Sequence, residues 1–173
     1  FAGTYFREKF PERGEAQRLI LSAGAEACED LNSSLTIYSR NEDVDEKYQF
    51  PEPLTDWVVG ALPYSKMLSA YRAFKVFLNV NTVTDSTTMF SRRVLEIAAC
   101  GGQVISTPAQ GIDSFFPHQE ITTVNDTQHA AAVIESAVRS DLARAKQVHR
   151  AQRVIWDAHL SLIHISEPTR QEA

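Results

Sequence analysis

The sequence lacks the features typical of cysteine-based metal or redox proteins, membrane proteins and secreted proteins. It has only two cysteines, Cys28 and Cys100, whose positions match no metal-binding or redox spacing, so we expect two reduced thiols in the core. No apolar run approaches the roughly 18 residues that cross a membrane. The start of the chain also lacks the charged-then-apolar order of a signal peptide. These absences predict a cytoplasmic protein without a transmembrane segment.

An excess of basic residues is absent as well. The chain has 17 Lys and Arg against 22 Asp and Glu, a formal net charge of -5, which argues against a nucleic-acid partner. Its 173 residues, 43% of them hydrophobic, are typical of one globular domain with a sizeable core. The histidines His118, His129 and His149 lack the spacing of metal ligands, so we expect no bound metal.

Strand-like and helix-like patterns alternate along the chain. This alternation predicts parallel strands joined by helices, an α/β fold with a doubly wound parallel sheet. In such sheets, ligands bind beyond the carboxyl ends of the strands. Residues 39–55 are acidic and carry Pro51 and Pro53, so they are predicted to form an exposed connection, and the stretch with Pro108 and Gly111 is predicted to be a loop. The predicted strands and helices are, in chain order, strand 1–5, helix 13–31, strand 35–38, an extended piece at 57–60, helix 64–73, strand 75–80, a helix ending at Gly101, strand 103–106, strand 121–124, helix 127–139 and helix 141–156.

The loop after the strand at 75–80 is rich in small polar side chains. Asn81 leaves the carboxyl end of the strand, and Ser86, Thr87 and Thr88 follow it. One of these three hydroxyl residues or Asp85 is expected to cap the next helix, whose free amides could bind a phosphate. An ordinary capped helix in a polar loop explains the same residues, so both interpretations stay open.

The helix after this loop carries a carboxylate, Glu96, in its middle. Glu96 lies along a helix that starts at the ligand-binding edge, and a carboxylate can accept two hydrogen bonds from a diol. The alternative is an exposed ion pair with Arg92 at i,i+4, worth about 0.3 kcal/mol and without a function.

Several stretches resemble the donor half of group 1 glycosyltransferases with the GT-B fold. They are KVFLNVN at 75–81, MFSRRVLEIAACG at 89–101 and VIS at 104–106, and the resemblance covers roughly residues 1–155. The opening FAGTYFREKFPER resembles the spore-maturation or spore-coat branch. The resemblance implies a Rossmann-like domain, one half of a GT-B fold, that binds a nucleotide-diphosphate sugar. By this similarity, Glu96 matches the glutamate that holds the ribose hydroxyls.

The resemblance also implies further donor-binding residues and one departure. Thr88 stands where the family has a first glutamate that contacts the transferred sugar. Arg7 and Arg13, with Lys9 between them, are candidates for clamping the diphosphate, although a solvated charged loop is an equal alternative. Further candidates are Arg92 and Gly111, the latter matching the glycine loop that brings backbone amides near the donor. The resemblance implies no cofactor and no cation.

The resemblance implies a glycosyltransferase activity that this chain shares with a longer parent. Residues 1–159 would form the donor domain, and the parent's N-terminal acceptor domain would supply the catalytic base, so we expect the fragment alone to be inactive. The acceptor is unknown: a glycan, a lipid or a protein. From about residue 160 the helical pattern breaks, and the tail resembles translated adapter sequence and is expected to be non-native. Two alternatives stay open, a non-catalytic GT-B-like module that binds a nucleotide or a protein, and a nucleotide-sugar epimerase.

Overall fold

The structure, a computed structural model, describes residues 1–6, 9–41 and 43–166, with side chains up to residue 158. It contains six helices, three strands and two short 3-10 turns in this described part. The helices are α1 Pro11–Asp30, α2 Tyr64–Ala73, α3 Arg92–Ala99, α4 Gln110–Phe115, α5 Thr127–Arg139 and α6 Asp141–Ser166. The strands are β1 Val76–Asn79, β2 Gln103–Ser106 and β3 Thr122–Thr123, and the 3-10 turns are Glu46–Tyr48 and Leu54–Trp57.

The sheet is parallel, and helices cover both of its faces. The strand order is β1-β2-β3, with Phe77 opposite Val104 and Leu78 opposite Ile105. Because side chains alternate along a strand, Phe77 and Val104 join the core cluster of α2, α3 and α6. Leu78 and Ile105 instead join the cluster of α1 and α5. This arrangement confirms the predicted doubly wound α/β fold.

The extended segments near the start of the chain are shorter than predicted. They pair through single parallel bridges, Ala2 with Tyr38 and Ile37 with Val58, so the full strands predicted at 1–5 and 35–38 are wrong in extent. Aromatic packing competes with the ladder here, since the ring of Phe50 lies 6.3 Å from that of Phe1.

Residues 39–55 are not the fully exposed connection that the prolines suggested. Phe50 and Leu54 are 2% and 1% exposed and belong to the core on the α1 side of the sheet. Tyr5 contacts Phe50 as well, with ring centroids 5.2 Å apart. An aromatic residue within a polar run was the signal for this burial, because a large ring contributes much of a core's buried area.

Other predicted boundaries agree closely with the structure. The bounds of α2, β2 and α5 are those predicted, and Asp126 caps α5 by accepting a hydrogen bond from His129 N at 2.8 Å. Gly101 has φ +88, the left-handed conformation expected of a glycine that ends a helix.

Two predictions about helices are wrong. The predicted loop around Pro108 and Gly111 contains the short helix α4, which was missed because its residues show no strong apolar period in the sequence. At the other end, α6 continues through Ser166, whereas the pattern predicted a break at about residue 160. A helix can pass through residues that interrupt its amphipathic pattern, because backbone hydrogen bonds depend little on side-chain order.

Candidate functional site

A cleft of about 530 Å³ lies at the carboxyl ends of the strands. Val80 and Thr82, which follow β1, form part of its wall, and Arg40 reaches it from the end of the extended segment at 37–38. A second hollow of about 300 Å³ adjoins it and shares Arg13, Arg40 and Arg93 with it. This is the edge at which doubly wound sheets bind ligands.

Arginines dominate the charge of the cleft. Among the described residues, Arg13, Arg40, Arg92 and Arg93 line it together with a single carboxylate, Glu96, although the whole chain carries a net charge of -5. Among the described carboxylates, none forms an ion pair with Arg13, Arg40 or Arg93. Positive side chains gathered in a concave site raise the local concentration of anions.

Arg13, on α1, belongs to this arginine cluster, and its guanidinium is not fully hydrogen-bonded. Its guanidinium lies 5.2 Å from the ring centroid of Phe6, and its buried Nε has no hydrogen-bond partner. Burial, followed by the neighbouring charge of Arg93, lowers the pKa of Arg13 below its ordinary value. Arg93 in turn donates a hydrogen bond to the carbonyl of Ala2. A bound anion would relieve the repulsion between these two cations.

Glu96 lies on the wall of the cleft and has two protein donors. Arg92 Nε is 2.8 Å from its Oε1, which is the i,i+4 ion pair expected from the spacing. The Tyr71 hydroxyl donates to its Oε2 at 3.2 Å. The Glu96 side chain keeps 25% of its surface exposed, so its carboxylate remains accessible from the cleft.

Asn81 lies behind the cleft rather than in its surface. It is 3% exposed, and its Nδ2 donates to Thr107 O at 2.7 Å and to Ser106 Oγ at 3.0 Å. Its Oδ1 accepts a hydrogen bond from Ser91 N at 2.9 Å. Asn81 therefore joins β2 to the start of α3, and its side-chain atoms are already used within the protein.

The helix after the polar loop starts later than predicted. Ser91 occupies the N-cap position of α3, so the expected cap among Asp85, Ser86, Thr87 and Thr88 is wrong. Two hydrogen bonds explain the difference: Ser86 Oγ accepts from Thr88 N at 3.3 Å, and Asn81 Oδ1 already accepts from Ser91 N. Ser91 makes no side-chain cap bond.

Ser86, Thr87 and Thr88 do not line the cleft. Thr87 and Thr88 are exposed, and Ser86 is partly so. The structure therefore does not bring these three candidates together with Glu96 and Arg13. The loop instead presents Thr82, Val83 and Met89 to the cleft.

Gly111 supports the cleft from behind. It is the second residue of α4, and a Cβ built on it would lie 2.6 Å from the carbonyl oxygen of Met89. Met89 and Phe90 line the cleft, so this glycine lets α4 pack closely against the backbone of a cleft residue. It does not itself line the cleft.

The remaining candidates lie elsewhere. Arg7 is outside the described residues. Lys9 is exposed and lies 5.5 Å from the ring of Phe10, away from the cleft lining. In the described part of the chain, no three His, Cys, Asp or Glu side chains form a metal-like group, and no helix there is long and apolar enough to cross a membrane.

Among the cleft residues that sequence reasoning did not predict are two arginines and two tyrosines: Arg40, Arg93, Tyr64 and Tyr71. Arg40 follows an extended segment, so the strand-end rule could have indicated it. Tyr64 is 69% exposed at the rim of the cleft, because it is the first residue of α2. Tyr71 and Arg93 have no local signal, since only the packing of α2 against α3 brings them to the cleft.

The fold is shared with a solved structure, a variant of S. aureus TarM in complex with fondaparinux, alpha-GlcNAc-glycerol and UDP. The TM-score is 0.62 at 15% identity, and the match covers 94% of this chain and 34% of that one. This chain therefore spans about a third of that protein's length. The similarity supports the α/β fold, of the Rossmann-like kind that forms half of a GT-B enzyme. No curated protein sequence is significantly similar to this chain.

Residues 17–164 match the family model described as glycosyl transferase-like. This match covers most of the chain, and the chain belongs to that family. The predicted resemblance to glycosyltransferases is thereby confirmed at the level of the family, whereas the spore-maturation branch and the non-native tail stay predictions.

Proposed function

We propose that the cleft binds the nucleotide-diphosphate sugar donor of a glycosyl transfer reaction, and that this chain is the donor-binding half of a longer enzyme. The observation that carries the proposal is the cleft at the strand ends, where three arginines that have no ion pair with any described carboxylate lie beside one accessible carboxylate. A nucleoside diphosphate has the matching chemistry, with a dianionic or trianionic diphosphate beside a ribose diol.

Each group has a defined role in this proposal. Arg13, Arg40 and Arg93 hold the diphosphate, whose negative charge grows as its bond to the anomeric carbon of the sugar breaks. Glu96 accepts hydrogen bonds from the ribose hydroxyls. Arg92, which is 77% exposed, can leave Glu96 and turn toward the diphosphate when a nucleotide binds. The acceptor and the catalytic base belong to the rest of the enzyme in this proposal.

A non-catalytic nucleotide-binding module is the second candidate. Thr88 stands at the position of the sugar-contacting glutamate, and it is exposed outside the cleft lining. In the described part of the chain, Glu96 is the single carboxylate that lines the cleft, and it already has two protein donors. Transfer of a sugar by a full-length parent protein would distinguish an enzyme from a binding module, and a glycoside product rather than an epimer would exclude the epimerase.

The proposal is tested by titrating the chain with ADP, CDP, GDP and UDP and following thermal unfolding and binding heat. UDP is the first choice because the structurally similar TarM variant is complexed with UDP. A nucleotide at about 100 times its Kd should stabilise the fold by about 2.7 kcal/mol. For a chain of this size, the expected rise in Tm is roughly 5–10 °C.

Matched variants make this test specific. Arg13→Gln and Arg93→Gln should weaken binding about tenfold or more, because each removes a charged hydrogen-bond donor. Arg150→Gln removes an exposed arginine outside the cleft lining and should have no effect. Glu96→Ala should weaken binding, whereas Glu135→Ala, which breaks the similar i,i+4 pair with Arg139, should not. Equal effects in cleft and control variants, or no binding by a folded chain, would reject the proposal.

A further inference from the structure

We infer that Tyr71 is a positioning residue that fixes the Glu96 carboxylate in the orientation that selects ribonucleotides over 2′-deoxyribonucleotides. This inference rests on the proposed function and concerns the same cleft. Tyr71 does not contact the ligand in this account. It acts through Glu96, by holding one carboxylate oxygen while the other faces the cleft.

The two oxygens of Glu96 have partners of different kinds. Oε2 accepts a hydrogen bond from the Tyr71 hydroxyl at 3.2 Å, and Tyr71 is 1% exposed. Oε1 pairs with Arg92 Nε at 2.8 Å, and the Arg92 side chain is 77% exposed. A long exposed side chain exchanges its partner easily, because water compensates for the lost ion pair. Tyr71 is therefore the fixed partner of the carboxylate, and Arg92 is the replaceable one.

The Tyr71 ring is held by the core on the α2 side of the sheet. Its centroid is 5.1 Å from that of Phe77 on β1, at an interplanar angle of 84°. The backbone of Tyr71 is confined too, since a Cβ on Gly102 would lie 2.9 Å from the Tyr71 carbonyl oxygen. Both contacts fix the hydroxyl relative to α3, so the position of the donor does not depend on the ligand.

The Tyr71 hydroxyl keeps its proton at neutral pH. Burial raises the pKa of Tyr71 above its ordinary value, and the Glu96 carboxylate adds to this effect, while Arg93 acts in the opposite direction. A protonated hydroxyl donates to the ionised carboxylate, which orients the carboxylate plane. A carboxylate oxygen has two lone pairs, so Oε2 can accept a second hydrogen bond from a ligand while it remains bonded to Tyr71.

A fixed carboxylate distinguishes a diol from a single hydroxyl. A ribose can donate both hydroxyl hydrogens to Glu96, whereas a 2′-deoxyribose leaves one carboxylate lone pair without its ligand partner. A carboxylate that turns freely would lose this distinction in part, because it could turn toward Arg92 or toward the remaining hydroxyl. The preference for ribose over deoxyribose is therefore the property that reports on Tyr71.

The experiment measures Kd by calorimetry for ADP, CDP, GDP and UDP and for their 2′-deoxy counterparts. For the nucleotide that binds, the unaltered chain should prefer the ribose form at least about tenfold, the size expected for one hydrogen bond to a charged group. Tyr71→Phe keeps the ring packing on Phe77 and removes the hydroxyl. It should reduce the preference to about threefold or less.

Controls separate positioning from general damage. Tyr5→Phe removes the hydroxyl of another buried tyrosine, which does not line the cleft, and should leave the preference unchanged. Glu96→Asp keeps the charge but shortens the side chain, so that the carboxylate cannot both reach Tyr71 and face the cleft. It should also lose the preference, and if Tyr71→Phe does not fold, retention of the preference by Glu96→Asp would reject the role of Tyr71.

The outcomes distinguish this inference from the proposed function. If the unaltered chain binds a ribonucleotide with a clear preference and Tyr71→Phe retains it, the role of Tyr71 is rejected while the donor site stands. If a nucleotide binds with no preference for ribose, the role of Tyr71 is rejected as well. If no nucleotide binds to the folded chain, both are rejected.

Discussion

Replacing Gly111 by alanine tests how the cleft is supported. A Cβ at this position would lie 2.6 Å from Met89 O, 2.9 Å from Met89 C and 3.0 Å from Phe90 Cδ1. Two of these three atoms are backbone, so they cannot move by a rotamer change. Met89 O would have to shift by about 0.8 Å to reach an ordinary 3.4 Å contact.

The expected sign of the stability change in Gly111→Ala follows from two opposing effects. Alanine is favoured over glycine within a helix by up to about 1 kcal/mol. Overpacking of a methyl group against fixed atoms costs about 1–3 kcal/mol, and three close contacts place this site toward the upper end. We therefore expect a net destabilisation of about 2 kcal/mol, which lowers Tm by roughly 4–8 °C.

Gly24→Ala is the matched control for this prediction. Its Cβ would lie 2.8 Å from Leu78 Cδ1, the end of a flexible side chain, and Gly24 is also within a helix, α1. We expect little change in Tm or a small increase for Gly24→Ala. Because Met89 and Phe90 line the cleft, Gly111→Ala should also weaken nucleotide binding, and Gly24→Ala should not. A rise in Tm for Gly111→Ala, or an equal loss in both variants, would refute the argument.

Three further predictions concern other parts of the fold. Asn81→Ala removes the hydrogen bonds that connect β2 to Ser91. Because its buried partners lose these bonds, the free energy of unfolding measured by urea denaturation should fall by about 2–4 kcal/mol. A loss within experimental error would contradict the role given to Asn81. Asp126→Ala removes the cap of α5 and should lower Tm by roughly 2–4 °C in a thermal scan, the equivalent of about 1 kcal/mol. Burial raises the pKa of Cys28, which is 8% exposed. In the native protein, a thiol-specific reagent should therefore modify the half-buried Cys100 first, and both cysteines should react only after urea unfolds the chain. Equal modification rates of the two cysteines in the native protein would disprove this prediction.

The order of most elements could be predicted from the sequence because most of them, unlike α4, carry a local signal. The apolar run of β1, the Asp126 cap and Gly101 are such signals, and the structure has them where they were expected. The start of α3 could not be predicted in this way, since Asn81 determines it through a bond to Ser91 that spans ten residues. A polar loop with several possible N-cap residues gives no local reason to prefer Ser91 over the earlier ones.

The cleft was predictable in location but only partly in composition. The strand-end rule placed it at the correct edge, and Glu96, Arg92 and Arg13 are among the residues that line it. Tyr71 lies on α2 and Arg93 on α3, and their positions in the cleft depend on how these two helices pack against each other. Net charge was also a poor guide to the site, because an acidic chain can gather its arginines at one edge.

The observed ion pair between Glu96 and Arg92 is compatible with the proposed ribose-binding role of Glu96. The ion pair with Arg92 is present at 2.8 Å, yet an exposed i,i+4 pair contributes only about 0.3–0.5 kcal/mol. A ligand hydroxyl that donates to an ionised carboxylate contributes about 1.5–3 kcal/mol, so a diol can displace Arg92 at little cost. In the proposed donor site, Arg92 pairs with the carboxylate while the cleft is free, and the buried Tyr71 remains hydrogen-bonded to Glu96 when Arg92 leaves. An ion pair that is weak enough to break is therefore consistent with the proposed ribose-binding role of Glu96.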